Sequence, residues 1–298
     1  MHLPPICVFG EVLFDRFPDD HRILGGAPFN VAWHLHAFGA APRLVSAVGD
    51  DPDGAAVRTA MSAWGMNVAD LQTDPDHATG EVAVSLRDGE PAYDIVADRA
   101  YDHIRQPAEG HDGLLYHGTL ALRQPVSAAT LQALKANGPD SVFLDVNLRT
   151  PWWSREETLR LVTDADWVKL NRDELTWLGE TDGAPTEDLA ERARAFLERH
   201  DLTGLIVTLG GDGALGLSAD GVPVRVAPAP ATEVLDTVGA GDAFAAVLIL
   251  GILRGWPLTT TLERAQSFAS RIVGQRGATA SDRALYAPFL DRWGLRQA

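Results

Sequence analysis

The run Asp236-Thr237-Val238-Gly239-Ala240-Gly241-Asp242 is followed at once by an apolar stretch over residues 243–250. That stretch is long enough for a helix, and Gly255 and Pro257 beyond it suit a helix stop. Gly239, Ala240 and Gly241 are therefore predicted at a helix N-terminus. The first turn there has N–H groups without internal partners, and the macrodipole adds partial positive charge. Small residues let an anion come close to those amides. Asp242 fits a different task. A carboxylate repels a bound phosphate, but it is what an attacking hydroxyl needs beside it to lose its proton. The helix end is expected to hold Asp242 ionised, by roughly 0.3–1 kcal/mol if exposed. The same residues also read as an ordinary helix start with an acidic first turn.

Other polar groups sit where an α/β chain would present them. Residues 6–10 read as a buried parallel strand, and Asp15 lies beyond its C-terminal end, where open α/β sheets collect ligands. Gly25-Gly26-Ala27-Pro28-Phe29-Asn30 opens an expected helix over 31–38. The Gly pair allows positive φ and close approach, and Asn30 can both donate to and accept from a polyol. Asp145-Val146-Asn147-Leu148-Arg149 ends another strand, and the Arg149 fork suits a phosphate or sugar oxygen, or an Asp that ties the loop down. Asn171-Arg172-Asp173-Glu174 follows a further strand and has the pattern of a capping box. Residues 81–87 alternate, Asp88-Gly89 is a hairpin turn, and Pro91 to Val96 continue, carrying Tyr93. Thr208-Leu209-Gly210-Gly211-Asp212-Gly213 follows a strand. Its formal G-x-G-x-x-G continues into strand rather than helix, which excludes a dinucleotide fold.

The DTVGAGD run resembles the C-terminal signature of the ribokinase/phosphofructokinase-B family of sugar kinases. The Gly-Gly-Ala-Pro-Phe-Asn segment is similar to that family's first signature, and Asp145 to Arg149 resembles its fructokinase and ketodeoxygluconate-kinase branch. The resemblance runs from Gly10 to about Gly277. It implies a ribokinase-like three-layer α/β/α sandwich with a mostly parallel sheet and a small β-stranded lid. It further implies one kinase domain over 1–298, with lid strands from about 11–24 and 79–104. Asp242 would be the base, and the amides of Gly239, Ala240 and Gly241 the anion hole. Asp15, Gly25, Gly26, Asn30, Tyr93 and Arg149 would bind sugar. Asn171, Thr208, Gly210, Gly211 and Gly213 would lie beside ATP. Glu174 would hold Mg²⁺ through water, and Asp236 would hold a monovalent cation such as K⁺, with Thr237 and Ser281 nearby. The family's adenine-side Asn is replaced here, in the region of Ser270 and Arg271.

The 298 residues are 46% hydrophobic, enough for an ample core, and the net charge of −16 disfavours nucleic acid and anionic membranes as partners. Cys7 is the single cysteine, which excludes a disulfide framework. With no signal-like segment and no apolar run of about 18 residues, the expectation is a cytoplasmic protein. No Walker loop, H-E-x-x-H or G-x-S-x-G occurs. The sugar expected from the resemblance is D-fructose, giving fructose 6-phosphate. Ketodeoxygluconate is the alternative and would need a cation such as Arg149 or Arg99. A sugar- or nucleotide-binding regulator without turnover is the reading from another class, and a homodimer through the lid is the expected assembly.

Overall fold

A computed structural model describes residues 3–19, 21–87, 90–179, 187–219, 221–228 and 235–296. The first half of the chain contains β1 (Ile6–Phe9), β2 (Leu13–Arg16), β3 (Arg22–Gly25), α1 (Ala27–Ala37), β4 (Arg43–Gly49), α2 (Pro52–Trp64), β5 (Leu71–Asp74), β6 (Gly80–Arg87) and β7 (Glu90–Ile95). Next come β8 (Leu114–His117), α3 (Pro125–Ala136), β9 (Ser141–Asp145), α4 (Arg155–Thr163), β10 (Trp167–Asn171), α5 (Arg172–Leu178), α6 (Leu189–Arg199) and β11 (Gly204–Thr208). The chain then runs through β12 (Ala214–Ser218), β13 (Val224–Val226), α7 (Ala240–Arg254), α8 (Leu258–Ile272) and α9 (Ala287–Trp293).

Nine strands form one sheet in the order β13-β12-β11-β10-β9-β8-β1-β4-β5. The run from β11 to β5 is parallel, and β12 and β13 are antiparallel additions. Alternation along the strands sends side chains to two faces. Ile6, Val8, Phe143 and Ile206 join the core under α1, α2, α7 and α8. Cys7 and Phe9, and separately Leu144, Val168 and Val207, pack on the opposite face with α3 to α6. Three layers follow, as the resemblance implies, and this is the α/β ribokinase-like arrangement. Strand order reverses between β8 and β1, which opens a crevice at the C-terminal ends of those strands.

A second sheet has the order β3-β2-β6-β7. Two hairpins are joined by a parallel pairing of β2 with β6, with Leu13 opposite Gly80. These strands come from the two segments expected to build the lid. The later segment is strand only to Ile95, however. Residues Ala100–His103 form a 3₁₀ turn, because Asp102 caps the Arg99 N–H at 2.9 Å and Tyr101 is drawn into the core. The Asp88-Gly89 turn lies outside the described residues.

Helix α7 is apolar all round, and the whole stretch Ala243 to Gly251 is buried between α1 and α8. Helix α1 begins at Ala27, four residues before the sequence expectation, because Pro28 suits a first turn and supplies a fixed φ. Asn30 and Asp242 therefore both lie in the first turn of a helix. Cys7 is fully buried, and burial pushes its thiol up to about 12, so it is an inert core group. Among the described residues no helix is long and apolar enough to cross a membrane.

Candidate active site

The first turns of α1 and α7 meet. Asn30 Nδ2 donates to Asp242 Oδ2 at 2.8 Å, joining segments 212 residues apart. Gly239 caps α7 with φ +78, a conformation closed to most side chains, and a Cβ there would collide with Ala278. Of the earlier pair only Gly26 has positive φ, +108, and a Cβ on it would lie 2.7 Å from the Glu11 carbonyl oxygen. Gly25 is conformationally ordinary, and its place is set by the pairing of Gly25 with Leu13.

Two cavities share this corner. One, of about 460 Å³, is bordered by Asp15, Gly25, Gly26, Asn30, Tyr93, Arg149, Gly239, Gly241 and Asp242. Its walls come from the small sheet on one side and the loops after β1, β9 and the start of α7 on the other. The second, of about 620 Å³, is bordered by Thr208, Gly210, Gly211, Gly213, Ala240 and Gly241, with Phe244, Gln266 and Ser270 behind. Thr237 and Gly241 border both. A ligand in either cavity thus meets the other across the α7 N-terminus.

Three carboxyls crowd the smaller cavity. Burial pushes Asp242 up to about 6, against the Asn30 hydrogen bond, with the Asp145 charge adding to the rise. Asp242 is thus still ionised at neutral pH, as expected of a helix start, but desolvation outweighs the terminal dipole of about 1 kcal/mol and moves its titration up rather than down. Burial likewise pushes Glu11 up to about 7, with the Asp242 charge contributing. Asp15 rises to about 6 through burial, opposed by Arg149. Glu11 Oε2 and Asn30 Oδ1 have no hydrogen-bond partner among the described residues. Both are buried polar atoms that a hydroxyl-bearing ligand would satisfy.

Sequence reasoning missed Glu11 and Lys169. Glu11 is only 4% exposed although it directly follows Gly10, and its strand-end position was the available signal. Lys169 Nζ donates to both Asp145 oxygens, at 2.8 and 2.9 Å, inside the protein. The space a Cβ on Gly241 would fill is 3.6 Å from that Nζ. Lys169 lies in the middle of β10, so nothing in its neighbours signals a site. Asn147 also borders the sugar-sized cavity, with φ +41, which Asn tolerates better than most residues.

Other expected site residues lie apart. Asn171 Oδ1 accepts from the Glu174 N–H at 2.9 Å, and Glu174 Oε2 accepts from the Asn171 N–H at 2.8 Å, a complete capping box. Glu174 Oε1 also accepts from the Leu148 N–H at 2.7 Å. Neither residue borders the two cavities. Glu174 has spare lone pairs for water, while both its oxygens are already held. Asp236 spans its own loop, accepting from the Val238 N–H at 2.9 Å and the Gly277 N–H at 3.0 Å. Arg99 lies outside the cavity, 3.8 Å from Glu81, so Arg149 is the cation there. His34 is a core residue, bonded to Tyr286 and the Ala278 carbonyl.

The Glu11 environment makes a stability prediction. The folded-state value of about 7 lies above the ordinary 4.5. Its contribution is fully present below pH 4.5 and is lost as pH rises through 7, because the fold must then hold a buried ion. Glu11→Gln should therefore be more stable than the parent at about pH 8, by up to about 3 kcal/mol. The advantage should vanish in acid. Urea midpoints at the two pH values check this, and an equal gain at both would disprove the buried-charge account.

The family model for pfkB family carbohydrate kinases matches residues 6–285. A fructokinase of Klebsiella pneumoniae is 31% identical over 265 residues, covering 83% of this chain and 84% of that one. The crystal structure of a Vibrio cholerae fructokinase with fructose, ADP and calcium bound superposes with a TM-score of 0.79 at 25% identity, over 96% of this chain and 98% of the other. A Salmonella enterica aminoimidazole riboside kinase, solved with aminoimidazole riboside and an ATP analogue, gives a TM-score of 0.79 at 25% identity, over 98% and 100%.

Proposed function

The chain belongs to the pfkB family of carbohydrate kinases, and from that premise we propose that it transfers the γ-phosphoryl group of ATP to a primary hydroxyl of D-fructose. The observation that carries this reading is the 2.8 Å bond from Asn30 to Asp242, which sets a polyol-binding amide and a half-buried carboxylate on one cavity. Asp15, Asn30 and Glu11 would hold sugar hydroxyls, and Arg149 would close the exposed side. Asp242 orients the attacking hydroxyl and takes its proton. A base near 6 is ionised at neutral pH yet still basic enough to accept. The amides of Gly239, Ala240 and Gly241 face the developing negative charge, with Lys169 behind them.

ATP fits the larger cavity, where Gly210, Gly211 and Gly213 allow close approach and Phe244, Gln266 and Ser270 line an inner wall. ATP would supply the phosphoryl group there, and Mg²⁺ bound with it would neutralise charge on that group. Glu174 borders neither cavity and its oxygens already accept backbone N–H groups, so it would reach Mg²⁺ only through intervening water. Asp236 and its loop would hold K⁺ beside the anion hole. The small sheet would exclude water over the sugar.

An ADP-release assay across fructose, ketodeoxygluconate, aminoimidazole riboside and 5-dehydro-2-deoxygluconate, with and without Mg²⁺, tests the reading. Fructose is expected to exceed the others in kcat/KM by at least about tenfold, the range set by one or two well-placed hydrogen bonds. Preference for an acid sugar would move the assignment to the ketodeoxygluconate class, with Arg149 as the discriminating cation. No turnover with any sugar would favour a binding protein on the kinase scaffold.

A further inference from the structure

Three segments that each border the smaller cavity are joined behind it by one guanidinium. Ile95, Leu120 and Arg149 contribute to the cavity wall. Val96 directly follows the first, Arg123 caps the 3₁₀ turn Leu120–Leu122 that carries the second, and Trp152 lies shortly after the third. Arg123 reaches all three segments. Its Nη2 donates to the Val96 carbonyl at 2.7 Å. Nε and Nη2 donate to the two Asp102 oxygens at 2.7 and 2.8 Å. The guanidinium carbon lies over the rings of Tyr101 and Trp152, 5.0 and 4.5 Å from their centroids. Trp152 in turn donates its backbone N–H to the Arg149 carbonyl at 2.7 Å.

Fold stability alone does not call for this arrangement. The Arg123 side chain is 1% exposed and that of Asp102 is fully buried. Desolvating such a pair offsets most of its attraction, and apolar side chains of the same size would hold a core as well. Arg123 Nη1 is buried without a hydrogen-bond partner among the described residues, which adds to the cost. Apolar side chains could not, however, fix a carbonyl, a carboxylate and two ring faces around one rigid plane. The planar fork sets direction as well as distance.

We propose that Arg123 is a positioning residue for sugar binding, an inference that rests on the sugar-kinase reading of that cavity. It sets the spacing of the end of β7, the turn after β8 and the loop after β9, and through Trp152 it holds Arg149 at the cavity. The sugar then meets walls already at their bound spacing, so less of the binding free energy goes into ordering three loops. The larger cavity is bordered by none of these segments, so the clamp acts on sugar and not on ATP.

The test compares the full chain with two variants. Arg123→Lys keeps a charge opposite Asp102 but loses the fork. Arg123→Met with Asp102→Asn removes both charges, keeps an acceptor for the Arg99 N–H, and serves if the first variant does not fold. With the best sugar of the panel, the apparent KM for sugar should rise at least about tenfold in either folded variant, while that for ATP stays within about twofold. Hydrogen exchange at the Trp152 amide, measured without ligands, should quicken at least about tenfold. A parent-like sugar KM, or equal rises for sugar and ATP, overturns the positioning role. Parent-like exchange at Trp152 overturns the clamp whatever the sugar, whereas a parent inactive with every sugar defeats the kinase reading and leaves exchange to decide the clamp.

Discussion

Asp242→Asn is expected to lower kcat by at least about 10², with sugar binding within a few-fold of the parent. The amide keeps the size of the side chain and its contact with Asn30 but cannot accept the hydroxyl proton. The amide hole and the positioned phosphate remain, so a residual rate should persist. The pH profile separates this from a general structural effect. In the parent, kcat/KM should rise with pH through about 6, because the free-enzyme base must lose its proton first. In Asp242→Asn that limb should disappear, while in Glu11→Gln it should remain close to its parent position, because Glu11, at about 7, is still largely protonated there. Near-parent turnover in Asp242→Asn would remove Asp242 from the role of base. An unchanged acid limb in that variant would pass the titration to Asp15 or Glu11.

Lys169→Met should destabilise the fold by about 3–5 kcal/mol, the cost of leaving a buried partner charge unpaired. Asp145 is 2% exposed, and Lys169 is its cation at 2.8 Å. Replacing both, as Lys169→Met with Asp145→Leu, should recover most of that loss, since two apolar groups need no charge compensation. Denaturant midpoints of the three variants decide the point. Activity should not return with stability. Without the ammonium behind Gly241 the anion cradle weakens, and the double variant should stay at least about tenfold below the parent in kcat. Full recovery of both would make the pair purely structural and leave the amides of α7 as the whole cradle.

These two predictions draw on different information. Asp242 was legible in the sequence because a glycine run, an acid and a long apolar stretch stand in immediate succession, and local chain geometry alone makes that a helix mouth. Asn30 and the Gly25-Gly26 pair were legible for the same reason, as was the glycine loop after β11. Lys169 and Glu11 were not. Each sits in or beside a buried strand, and only the lateral order β9-β10 and the packing of α1 against α7 set Glu11 on the cleft and Lys169 behind Gly241. The Asn171–Glu174 pattern was legible as a capping box, and the fold forms one.

The amino-acid order by itself determined the strand and helix periodicities, the two helix first turns, the glycine positions and the acidic, cysteine-poor character of the chain. Those depend on contacts within a few residues. The tertiary structure alone decided the junction of α1 with α7, the parallel pairing of β2 with β6, and the ionisation of the cleft carboxyls. A carboxyl's ionisation depends on how much water remains around it, and that is set by residues as far away as 212 positions in the chain. The helix dipole is a local quantity and could be read in advance. The desolvation that outweighs it comes from the whole fold.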